Sequence, residues 1–108
     1  MNENAIPLGC SAYLINMMNG KHTRLDAAEY RIGRAAGNNL VIANPKVSGN
    51  HAMICFDFTN GRFLVADGGS LNHTLINGKA VVPYRPEPIA HGARLTLANE
   101  QYQFFLNH

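Results

Sequence analysis

The sequence predicts an all-β fold, a sandwich of two antiparallel sheets, and three observations carry that reading. No window repeats apolar residues at helical spacing across three turns. Several short runs alternate apolar with polar residues, the period of a strand with one buried face. Turn residues divide those runs about every ten positions, the spacing of a sandwich built from hairpins.

Taken in order, Ala12-Tyr13-Leu14-Ile15 and Glu29-Tyr30-Arg31-Ile32 read as strands, although Leu25-Asp26-Ala27-Ala28-Glu29 would also tolerate a helical turn. The strongest local signal is Ala52 to Thr59, then Asn60-Gly61, then Arg62 to Asp67. Asn-Gly readily takes the positive φ angles of a tight hairpin turn. Period two places Ile54, Phe56 and Phe58 on one face, and Phe63 and Val65 on another. A second Asn-Gly, Asn77-Gly78, separates Thr74-Leu75-Ile76 from Lys79-Ala80-Val81-Val82 and predicts a second hairpin. Pro83, Pro86 and Pro88 then hold a loop. Leu95 and Leu97 fall on one strand of a third hairpin and Tyr102, Phe104 and Leu106 on the other, with Ala98-Asn99-Glu100-Gln101 between them.

Composition bounds the function. The 108 residues carry 9 Lys+Arg against 7 Asp+Glu, a net charge of +2, too small to advertise a nucleic-acid or membrane surface. With 46% hydrophobic and 15% charged residues the chain is globular, and its length suits one domain with its own core. Cys10 and Cys55 lie far apart with no C-x-x-C spacing, which fits a reduced, cytoplasmic setting. No apolar run approaches the roughly 20 residues of a membrane helix, and Met1 to Pro7 lacks the pattern of a signal peptide. The expected layout is an N-terminal extension over 1–11, the domain over 12–106, and a C-terminal end at 107–108 leading to further domains.

Loops on such a frame carry function, and three stand out. Gly33-Arg34 ends an early strand, Ser48-Gly49-Asn50-His51 precedes the best hairpin, and Ser70-Leu71-Asn72-His73-Thr74 precedes the second. Together they supply a guanidinium fork, a hydroxyl, a glycine that lets backbone N–H groups approach a ligand, and a side-chain amide. These are parts for holding an oxyanion and a peptide backbone.

The order and spacing of these segments resemble the forkhead-associated (FHA) domain, a β-sandwich that binds phosphothreonine peptides through loops at one end. Its pattern of Gly-Arg, Ser-x-x-His, an Asn-Gly-Thr turn and a further Asn-Gly is met by Gly33-Arg34, Ser48 and His51, Asn72-His73-Thr74, and Asn77-Gly78. The flanks agree: Tyr30-Arg31-Ile32 leads into Gly33, Asn39-Leu40-Val41-Ile42 precedes the serine loop, and His91-Gly92-Ala93-Arg94-Leu95 resembles the segment before the last hairpin. The resemblance spans Ala12 to Leu106.

It implies an adaptor module for signalling, recognising phosphothreonine on partner proteins as part of a larger protein. No cofactor, metal, nucleic acid or membrane is expected. Arg34, Ser48 and Gly49 are implied phosphate contacts. Asn72 would bond the peptide main chain, with Lys46, His73 and Leu71 beside it and Lys46 helping to choose the residue three positions after the phosphothreonine. Gly33, His51 and Asn77 are implied supports of the site. Two positions depart from the family: His73 replaces the usual glycine where the turn often needs positive φ, and Leu71 removes a hydroxyl or charge that some members direct at the phosphate. The alternative class is a phosphate-independent interaction or assembly domain whose groove has drifted.

Other chemistries fit less well. Ser48 and His51 with Asp57 or Asp67 would make a hydrolase set, yet no nucleophile elbow surrounds the serine, so the chain is read as a non-enzyme. His51, Cys55 and His73 lack metal-ligand spacing. Gly78-Lys79 has no glycine five residues earlier and is followed by Ala80, which excludes a P-loop. Asn72-His73-Thr74 spells a glycosylation sequon that a chain without a signal peptide would not use.

Overall fold

The computed structural model describes residues 11–107, so Cys10 and most of the predicted extension lie outside it. Among the described residues eleven strands form two sheets: β1 (Ser11–Asn16), β2 (His22–Arg24), β3 (Glu29–Gly33), β4 (Leu40–Val41), β5 (Ala52–Asp57), β6 (Arg62–Asp67), β7 (Thr74–Ile76), β8 (Lys79–Ala80), β9 (Glu87–Pro88), β10 (Arg94–Leu97) and β11 (Glu100–Asn107). One sheet runs β2-β1-β11-β10-β7-β8 and the other β4-β3-β5-β6-β9. Strand pairing is antiparallel except between β3 and β4, which are too close in sequence to be joined by a crossover helix and lie parallel through a short loop.

The alternating pattern is realised where it is strongest. β5 and β6 bury every second residue, and the register pairs Phe56 with Phe63 and Ile54 with Val65, so these four share one inner face and not opposite ones. Phe58 lies beyond the strand and is 57% exposed, its ring set edge-on to Phe56. From the other sheet, fully buried Phe104 meets Phe63 edge to face at 5.6 Å, joining the two layers through one aromatic contact. Leu14, Ile32, Leu95 and Leu97 complete the same core.

Turn chemistry separates the two Asn-Gly pairs. At Asn77-Gly78 both residues have positive φ, 51° and 83°, and Ile76 pairs directly with Lys79, the two-residue hairpin that was expected. At Asn60-Gly61 only Gly61 is positive, and the loop has four residues, Phe58 to Gly61. The Asp57 carboxylate explains the difference: it accepts the N–H groups of Thr59 and Asn60 at 3.0 and 3.3 Å and the Asn60 amide at 2.8 Å. That side chain folds a wider turn than the dipeptide alone would make.

Three further expectations change. Leu25 to Ala28 form no helical turn among the described residues. The third hairpin closes through Ala98-Asn99 alone, with Glu100 and Gln101 already in β11. Pro88 belongs to β9, an edge strand, where a missing N–H costs no ladder bond. The two-residue β4 and three-residue β2 are too short to show a period.

Candidate functional site

The loops β3–β4, β4–β5 and β6–β7 meet at one end of the sandwich, with the β10–β11 turn beside them. Gly33 sets the first approach. A Cβ at Gly33 would lie 2.2 Å from the Gly49 carbonyl oxygen, so only glycine lets β3 pass under the serine loop. There the backbone N–H groups of Arg34 and Ala35 donate to the carbonyls of Ser48 and Gly49 at 3.0 and 3.1 Å. The Arg34 side chain is exposed, and its Nε–H donates to the Val47 carbonyl at 3.0 Å. This fixes the guanidinium at the mouth of the serine loop, and among the described residues neither ion pair involves it.

Ser48 joins the second loop to the third. Its Oγ accepts the Leu71 N–H at 3.0 Å, which leaves its own proton free to donate outward. Gly49 has ordinary φ, and a Cβ there would meet nothing nearer than Ala35 at 3.8 Å. The fold therefore gives no reason for glycine at position 49. Its N–H has no acceptor among the described residues.

His51 is fully buried and ties both loops together. Its Nδ1 accepts the Ser48 N–H at 3.1 Å, so the ring proton is on Nε2, which donates to the His73 carbonyl at 2.8 Å. Asn72 reaches across to donate from Nδ2 to the Lys46 carbonyl at 2.7 Å, leaving its amide oxygen open. Lys46 and Leu71 are exposed, Leu71 by 82%. His73 has φ 69°, the left-handed region, with its ring in solvent. Asn77 stands away from this cluster, where its N–H and Oδ1 both bond the Arg94 backbone, at 2.8 and 2.9 Å, and pin the hairpin turn to β10.

Asp67, which the sequence offered only as an orienter for a hydrolase set, is instead a support of the third loop. It is 2% exposed and receives the Ser70 hydroxyl, the Thr74 hydroxyl at 2.7 Å, and the N–H groups of Gly69 and Ser70 at 3.0 Å each. Burial pushes this carboxyl up, but the Ser70 and Thr74 hydroxyls and the two N–H groups outweigh it and hold it below the ordinary carboxylate range. A strand-ending Asp followed by Gly-Gly-Ser is the signal that could have revealed it. Asn38 also contributes, its Nδ2 donating to the Ala35 and Gly49 carbonyls at 2.9 and 2.7 Å.

The hydrolase arrangement is not assembled. Ser48 Oγ bonds Leu71 and not His51, Asp67 is committed to Ser70 and Thr74, and Asp57 pairs with Arg62 at the far hairpin. Cys55 lies within β5, and no cluster of metal-ligating side chains forms among the described residues.

The model of the FHA domain family matches residues 30–98, the stretch that contains all three loops. The chain belongs to the FHA-domain family. Among solved structures, Mycobacterium tuberculosis EmbR in complex with a low-affinity phosphopeptide is 26% identical, with a TM-score of 0.83 over 91% of this chain and 25% of that one. The N-terminal FHA domain of S. cerevisiae Rad53p, in complex with a phosphothreonine peptide, superposes with a TM-score of 0.81 at 18% identity, covering 90% of this chain and 94% of that one. It shares the fold. Protein phosphatase 2C 70 of Arabidopsis thaliana is 35% identical over 51 residues, which are 47% of this chain and 9% of the phosphatase. The chain thus spans a quarter or less of the length of EmbR and of the phosphatase.

Proposed function

We propose that this domain is a phosphothreonine-peptide adaptor module that works within a larger cytoplasmic signalling protein. The observation that carries the reading is the set of unspent donors at one loop cluster. Among the described residues the Arg34 guanidinium is anchored by Nε only, the Ser48 hydroxyl has its oxygen occupied and its proton free, and the Gly49 N–H has no acceptor. A phosphothreonine carries about −1.5 to −2 charge and three acceptor oxygens, so a permanent cation, a hydroxyl and a loop N–H can satisfy it. The open oxygen of Asn72 is suited to an N–H of the peptide main chain.

The donors are already held by His51, Asp67 and Gly33, so little ordering is needed on binding. An affinity in the micromolar range, about −8 kcal/mol, suits a site of this size. Lys46, exposed beside the cluster, adds a modest preference for acidic residues after the phosphothreonine, worth up to about 1 kcal/mol and weakened by salt. A phosphothreonine peptide library, screened beside unphosphorylated copies, tests both points. The reading expects capture only of phosphorylated members, with Asp or Glu enriched at low salt, and fails if unphosphorylated copies are captured equally.

A further inference from the structure

The outer face of the five-stranded sheet carries a cleft of about 470 Å³, within the size range of small-ligand pockets. Met53 and Ala66 face it from β5 and β6, with Pro86 at its side. Three polar side chains border it with no side-chain partner among the described residues. Arg31 is exposed and belongs to neither ion pair among the described residues, and no side-chain hydrogen bond there ties the Asn50 amide or the Tyr84 hydroxyl. Asp67, the one carboxylate in the wall, is buried and committed to Ser70 and Thr74. The positive charge of Arg31 is therefore unanswered within the cleft.

Tyr84 gives the second, independent observation. Its φ is 63°, a left-handed conformation that is costly for an aromatic residue, and the residue stays 75% exposed. Its hydroxyl stands where a Cβ on Gly69 would be, 2.2 Å from that point, so the glycine makes room for the ring. Burial within the domain does not offset this strain. A ligand covered by the ring would.

We propose that this cleft, which adjoins the phosphate loops through Asn50 but does not include the Arg34, Ser48 and Gly49 donors, is a second binding site for an apolar or aromatic group that carries a carboxylate. The Arg31 fork takes the carboxylate, Met53, Ala66 and Pro86 take the hydrocarbon, Tyr84 covers it, and Asn50 supplies one amide contact. The donors Arg34, Ser48 and Gly49 are not needed for this binding.

The test is amide NMR of the domain titrated with 3-phenylpropionate, with the neutral 3-phenylpropionamide, and with acetyl-Ala-Phe bearing a free carboxyl. Saturable shifts are expected at Met53, Ala66 and Gly68 in about the millimolar range, with the acid bound about fivefold more tightly than the amide. Arg31→Gln should bring the acid to the level of the amide, and Tyr84→Gly, which suits the positive φ, should weaken both. A tighter dipeptide would identify the natural ligand as the end of a protein chain, and a tighter small acid would identify it as a free metabolite-sized acid. No saturable shift at these residues, or equal affinity of acid and amide in the unaltered domain, overturns the proposal.

Discussion

His73 holds φ 69° with its ring in solvent, so the domain bears the left-handed backbone cost of a non-glycine residue at the rim of its own groove. Glycine would relieve that strain, worth on the order of 1 kcal/mol, while adding some freedom to the unfolded chain. His73→Gly is expected to leave stability unchanged or raise it by up to about 1 kcal/mol in denaturant unfolding, and to bind a generic phosphothreonine peptide at least as tightly. A clear loss of stability would contradict the strain argument. Arg34 and Ser48 act at the same scale. Arg34→Ala should weaken phosphopeptide binding by about 2 kcal/mol, the worth of a hydrogen bond to a charged group, and Ser48→Ala by less. Unchanged melting temperatures would show that the loss belongs to the site and not to the fold. Equal affinity of both variants and the parent would remove these residues from the phosphate contact.

At the scale of elements, a buried carboxylate and a buried imidazole organise the loops. The Asp67 carboxyl lies below its ordinary range when folded, so its contribution to stability is fully present above the unfolded carboxylate value, near 4, and is lost as pH falls through the folded one. Asp67→Asn should therefore lower stability by about 1 to 3 kcal/mol at neutral pH, and the gap from the parent should narrow on acidification below about pH 4. A gap that stays constant down to pH 2 or so would mean that charge on Asp67 is irrelevant to the loop. Elements also show how far the sequence could be read. The hairpins around Asn60-Gly61 and Asn77-Gly78 announce themselves through period and turn dipeptide, because both signals are local. The span of the first turn was misread because the Asp57 carboxylate bonds three groups of the loop and widens it. Strands β2, β4 and β9 were illegible, since two or three residues cannot display a period and owe their extended state to the neighbour they pair with.

Across the whole molecule, the two sheets form a rigid frame that gathers residues from three distant loops, and the donors Arg34, Ser48 and Gly49 come together because Gly33 and His51 leave no other packing. The order of these motifs was visible in the chain. That Ser48 is bound to Leu71, or Asn72 to Lys46, was not, because such contacts join positions more than twenty residues apart and depend on how the loops close. Asp67 differs: its partners Gly69, Ser70 and Thr74 are local, and the sequence offered it only as an orienter for Ser48 and His51 because a run of Gly-Gly-Ser does not by itself show that the loop folds back on the strand end. The account as a whole rests on phosphate recognition by preformed donors. Titration calorimetry of the domain with one peptide in phosphothreonine, phosphoserine and unphosphorylated threonine forms tests it most directly. The account predicts micromolar binding of the phosphothreonine form, lost on removal of the phosphate and weakened by Arg34→Ala, whereas equal heats and affinities for the phosphorylated and unphosphorylated peptides would contradict it.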